Sequence, residues 1–218
     1  GVVSLFYAVT FILVPLMFSK VGRSRWPHKS STLIYFACLG AGFIIFELTF
    51  IQVFMRLVGY PLYTYSVVIF AMLASAGLGS YFSERVARRD GRRFMVPFLG
   101  ILVTALALRL VHDPVFDSML AAPMGIRILV AGLLIAPLGF FLGMPFPLGI
   151  LAIRNRPAGA VAWAWGLNGL FTVIGGLASV LLALSLGFRA TLLIALLVYG
   201  VAFLVFRQLR AGLSEAPG

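Results

Sequence analysis

Long apolar stretches alternate with short polar ones along the chain. The apolar stretches cover residues 2–18, 31–57, 62–82, 94–111, 128–144, 160–186 and 190–206. About 20 helical residues cross the hydrocarbon core of a bilayer, and these runs are close to that length. Between them lie basic or turn-forming segments: 19–30 with Lys20, Arg23, Arg25 and Lys29, the Gly59-Tyr60-Pro61 turn, and ERVARRDGRR at 84–93. Gly and Pro punctuate regular structure strongly. A longer connector, 112–127, holds two acids and two prolines and reads as a loop or a short interfacial helix. Pro145 and Pro147 end or kink the fifth stretch, and 148–153 carries the chain on to Arg154. The expected fold is all-α: a polytopic transmembrane helical bundle of about seven spans. One membrane domain covers 1–206, and a polar tail follows over 207–218.

Composition agrees with that pattern. Of 218 residues, 62% are hydrophobic and 11% charged, where soluble domains are nearer a quarter charged. A net charge of +11 first points to nucleic acid. The basic residues, however, cluster in short loops between apolar runs, as juxtamembrane anchors facing anionic lipid do. The bilayer, not nucleic acid, is therefore the expected partner. Of 17 lysines and arginines, only Arg56, Arg109, Arg127 and Arg189 fall on the side that also holds the N-terminus. The positive-inside rule then places the N-terminus outside and the C-terminal tail in the cytoplasm.

Several chemistries are set aside. Cys38 is alone, which excludes an intrachain disulfide and a cysteine metal site. His28 and His112 fall on opposite sides of the expected topology, so no haem pair forms, and zinc lacks ligands. The LGAGF at 39–43 lies inside an apolar helix rather than after a strand, so it is no nucleotide fingerprint. No serine, histidine and acid converge for nucleophilic catalysis. No cofactor, metal or catalytic residue is expected. The first run has no basic n-region or cleavage site and does not read as a signal peptide; a chain starting at Gly1 reads as a fragment or a processed piece of something longer.

One carboxylate, Glu47, lies deep in an apolar run, at 40–61 (GAGFIIFELTFIQVFMRLVGYP). It sits about 22 Å from the start of its span at Thr32, and Arg109 lies about 22 Å from Phe94 in the fourth span. An interhelical Glu47–Arg109 pair in the outer half of the bundle is therefore expected. Arg56 is nearer in sequence, but nine residues at about 100° each turn it to the opposite helix face. A structural pair, a substrate-binding carboxylate and an unpaired neutral group all remain open for Glu47. Gln52 and Arg56, spaced i, i+4, share a face, and Arg56 is expected to snorkel to the interface. Asn168 needs a partner inside the membrane, either as interhelical glue or as a ligand contact. Gly139 and Gly143, the patch SAGLG at 75–79, Ala162 with Gly166, and Gly175 with Ser179 allow close helix packing.

FACLGAGFIIFELTFIQ at 36–52, LVGYP at 57–61, GLGS at 77–80, GMPFPLG at 143–149 and AWAWGLNG at 162–169 occur in that order. Together they resemble the C-terminal membrane domain of bacterial membrane-bound spermidine-synthase-like proteins, over about 35–187. The resemblance implies a multi-pass module of the bacterial inner membrane. In that family it accompanies a soluble Rossmann-like domain related to aminopropyltransferases, and this chain has no positions for that domain's catalytic residues. The expected role is a non-catalytic scaffold or anchor for such a domain or for partner subunits. The alternatives are transport or binding of a small cationic amine with Glu47 as counter-charge, and an accessory subunit of an electron-transfer complex.

Overall fold

The structure, a computed structural model, describes residues 3, 6–7, 9–18, 23, 26–88 and 94–214. Among these, every regular element is a helix. A π-helical turn, Val9–Leu13, leads into α1 (Val14–Phe18), followed by α2 (Lys29–Val58), α3 (Pro61–Arg88), α4 (Met95–Met119), α5 (Met124–Leu142), α6 (Pro145–Ile153) and α7 (Ala158–Ser214). Five stretches are long and apolar enough to cross a membrane: Lys29–Val58, Pro61–Val86, Met95–Met119, Met124–Ile153 and Ala158–Leu209. Phe70, Leu110, Leu184 and Leu197 are among many large apolar side chains exposed on them. So much exposed apolar surface is compatible with contact with lipid.

Local chemistry sets the joints. Gly59 ends α2 at φ 84°, a conformation open to glycine, and its N–H donates to the Met55 carbonyl at 2.9 Å. Pro61 then takes the first position of α3, where no N–H is needed. Gly143 and Met144 donate back to the Gly139 and Phe141 carbonyls at 3.0 and 3.3 Å. Pro145 and Pro147 fall in the opening turn of α6, so their missing N–H groups leave nothing unsatisfied. The Pro-Phe-Pro run thus begins one helix as much as it ends another.

The residues divide into two units, Gly1–Ile45 with Leu148–Gly218, and Phe46–Pro147, and α2 contributes to both. In the first unit, small residues let α2 and α7 approach backbone to backbone. A Cβ at Gly40 would strike the Asn168 carbonyl oxygen, and one at Gly175 would lie 2.7 Å from the Ala41 Cα. A Cβ at Gly42 would lie 2.7 Å from the Tyr199 ring. In a straight helix Asn168 and Tyr199 would be about 46 Å apart, yet they meet α2 two residues apart. The chain therefore folds back between them, at Gly187, whose φ 80° and ψ 165° are non-helical. Below the crossing, fully buried Tyr35 stacks on Phe206 with ring centroids 5.1 Å apart.

In the second unit, α3 crosses α5 on another small-residue seam. A Cβ at Gly143 would strike the Ala76 carbonyl oxygen, one at Gly139 the Ser75 hydroxyl, and one at Gly79 the Phe140 carbonyl oxygen. The two patches read from the sequence, 75–79 and Gly139/Gly143, are thus the two halves of one contact. In the same unit Phe46, Phe50, Phe54 and Phe116 form a buried aromatic ladder, with 5.1 Å between the last two ring centroids.

Several boundaries differ from expectation. The third stretch, expected to end at 82, continues as helix to Arg88. The connector expected from 112 is helical through Met119, despite Pro114 inside it. The segment expected as a polar tail from 207 continues α7 to Ser214. Val2, Lys20, Arg25, Arg89, Asp90, Arg92, Arg93 and residues 215–218 lie outside the described residues.

Gly143→Leu is expected to lower the detergent melting temperature clearly, because overpacking a tight contact typically costs about 1–3 kcal/mol. Gly77→Ala is the control: a Cβ there meets nothing within 4 Å, and the melting temperature should hold or rise slightly, since glycine costs a helix interior about 0.5–1 kcal/mol relative to alanine.

Candidate functional site

Charge gathers where the last turn of α2, the last turns of α4 and the start of α5 meet in the second unit. Asp113 and Asp117 are four apart on α4 and so share one face. Arg56 of α2 joins both: Nη1 donates to Asp113 Oδ1 at 3.1 Å, and Nη2 donates to Asp117 Oδ1. Arg109 reaches Asp113 Oδ2 at 3.5 Å. His112 Nδ1 lies 2.9 Å from the Arg109 carbonyl oxygen, and Nε2 lies 3.5 Å from Asp113 Oδ1. From α5, Arg127 Nη1 donates to the Leu57 carbonyl at 3.2 Å, covering one end carbonyl of α2.

This network and an aromatic contact together support α4 where it runs past Pro114. Proline in a helix interior removes one hydrogen bond and costs about 3 kcal/mol. Here Arg56 clamps the acids on either side of it, and Phe116 packs fully buried against Phe54. The ion pairs are individually modest. Arg56 and Asp117 are 51% and 61% exposed, and exposed pairs contribute about 0.2–1 kcal/mol. Together they join the ends of α2 and α4, and the Arg127 hydrogen bond adds the start of α5.

The expected Glu47–Arg109 pair is not the one that forms: the carboxylate beside Arg109 is Asp113. Arg109 and Asp113 are four apart on one helix and need no neighbour to meet. Glu47 is half-buried and, among the described residues, makes no hydrogen bond or ion pair. Gln52 is exposed and equally without a side-chain bond. Arg56 binds the two aspartates rather than simply reaching for the interface.

Asn168 belongs to the first unit. Its Nδ2 donates to the Phe36 carbonyl at 3.4 Å, one turn from the Gly40 crossing, and its own carbonyl accepts from Thr172 Oγ1 at 2.8 Å. Ser179 is buried and Gly166 half-buried on the same helix as Gly175. The sequence reading missed Asp113, Asp117 and His112 as partners of Arg56 and Arg109. The signal was there: 109, 113 and 117 repeat at four-residue spacing along one helix face. Among the described residues, no three His, Cys, Asp or Glu side chains gather for a metal ion.

Arg56→Met should lower the melting temperature at low salt and less so at high salt, since exposed pairs are screened. A double-mutant cycle with Asp117→Asn should return a coupling of about 0.2–1 kcal/mol. Asn168→Ala should cost about 0.6 kcal/mol, the average for interhelical hydrogen bonds in a membrane. Comparison with family models, curated proteins and solved structures found no match.

Proposed function

We propose that the chain is a non-catalytic membrane module that scaffolds or anchors a partner polypeptide. The observation that carries this reading is Glu47, a half-buried carboxylate on apolar α2 with no partner among the described residues. An ionisable group within a span costs about 2.5–3.5 kcal/mol on insertion scales and normally faces protein that pairs with it. A donor from another polypeptide completes it, and exposed Gln52 on the same helix offers a second polar contact. Asn168 and Arg56 are already engaged by neighbouring helices and Arg109 by its own, which suits a rigid module better than a ligand site.

In this reading the chain crosses the bacterial inner membrane about seven times, with its N-terminus outside and its C-terminus cytoplasmic. The fold-back at Gly187 and the helical segment at 9–18 support the count, and the basic loops support the orientation. The resemblance to the membrane domain of spermidine-synthase-like proteins names one candidate partner, a soluble domain of that family. Glu47 also favours a second reading, in which a small cationic amine is its counter-charge.

Native purification in mild detergent followed by mass spectrometry separates the two. The scaffold reading expects a co-purifying polypeptide at fixed stoichiometry, depleted by Glu47→Leu. A chain that purifies alone, and whose melting temperature rises with spermidine in the wild type but not in Glu47→Gln, overturns it.

A further inference from the structure

A pocket of about 450 Å³ opens in the second unit between the end of α3, the start of α4 and the end of α5. Its walls are apolar: Phe82, Val86, Val96, Phe140 and Phe141, with buried Met144 beneath. Ring contacts hold these walls. Phe82 and Phe140 lie 6.0 Å apart and Phe140 and Phe141 5.4 Å apart, centroid to centroid. Gly100 leaves room on α4 for the Phe141 ring, which a Cβ there would strike. The volume falls in the range of ligand pockets, about 300–1,000 Å³.

One charge stands in this lining. The Arg85 guanidinium lies over Phe82, 4.9 Å from the ring centroid, and 5.5 Å from the Tyr81 centroid. Among the described residues Arg85 makes no ion pair. The next residues in sequence add Arg88, Arg89, Arg92 and Arg93 against Glu84 and Asp90. An apolar cavity with an unpaired cation in its wall complements a molecule with an apolar tail and an anionic head. The helices that form it are long and apolar enough to lie in a bilayer, where phospholipids are the abundant molecules of that kind.

We infer that this pocket is a binding site for an anionic phospholipid, with an acyl chain between Phe82, Phe140 and Phe141 and the phosphate on Arg85. The inference rests on the membrane location alone and not on Glu47 or a partner chain. A free anion would leave the apolar walls unused, and a zwitterionic lipid would set its own cation near Arg85.

The test uses the purified full chain in detergent, titrated with phosphatidylglycerol or phosphatidylcholine and read by native mass spectrometry. Phosphatidylglycerol should bind in preference to phosphatidylcholine. Arg85→Gln should weaken it about fivefold, the worth of one basic residue near anionic lipid. Val96→Phe, at an exposed wall position, fills the cavity while keeping the charge and should weaken binding comparably. Equal affinity for the two lipids overturns the inference. So does retention unchanged in Arg85→Gln, which would assign the effect to diffuse attraction by the following arginines. Competition by inorganic phosphate alone, at equal concentration and with Val96→Phe without effect, would reduce the site to free-anion binding.

Discussion

A polar side chain surrounded by apolar helices and lipid has no water to turn to, and much of this architecture follows from how such groups are satisfied. Asn168 finds the Phe36 carbonyl because the α2 and α7 backbones are close enough for an amide to span the gap. They are close because Gly40, Ala41 and Gly175 meet at the crossing. Lipid tails are as apolar as leucine, so no hydrophobic force pulls helices together there, and close van der Waals packing and hydrogen bonds must. Small residues and the half-buried amide are therefore one device. The α3–α5 seam uses the same means without an amide, placing Gly139 and Gly143 against Ser75 and Ala76.

At the far end of α2 the device changes. Arg56, Arg109, Asp113 and Asp117 sit at helix ends, half in solvent, where an ion pair loses less hydration than it would deep inside. The network clamps the last turns of α4 past Pro114 and holds them beside α2, while Arg127 covers a terminal carbonyl of α2. Glu47 stands in contrast, a half-buried carboxylate on an apolar helix with no hydrogen bond or ion pair among the described residues. That contrast, and not a constellation of catalytic groups, directs the functional reading toward something outside the chain.

Much of the helical pattern was legible in the sequence, because apolar run length reports membrane-crossing potential directly. Gly139/Gly143 and 75–79 were legible as packing patches, since four-residue spacing puts small side chains on one face. Which patch meets which was not, because that depends on how each helix is rotated against its neighbours. The same limit explains Arg109: depth along two helices matched it to Glu47, whereas Asp113 lay on its own face one turn away. Pro114 misled for a different reason. Its local effect is to break a helix, and what offsets it, Arg56 and the Phe54–Phe116 contact, comes from residues nearly sixty positions away in the chain. The Arg85 pocket left only a partial trace, because its walls belong to three helices and only the basic run that follows is continuous.

The central claim is that Glu47 is completed by another polypeptide. The most direct measurement replaces Glu47 with a photo-crosslinking residue, irradiates native membranes, and identifies the adducts. The account predicts a discrete adduct with a second polypeptide, absent when the same probe replaces lipid-exposed Leu184. Adducts with lipid alone at position 47 would contradict it.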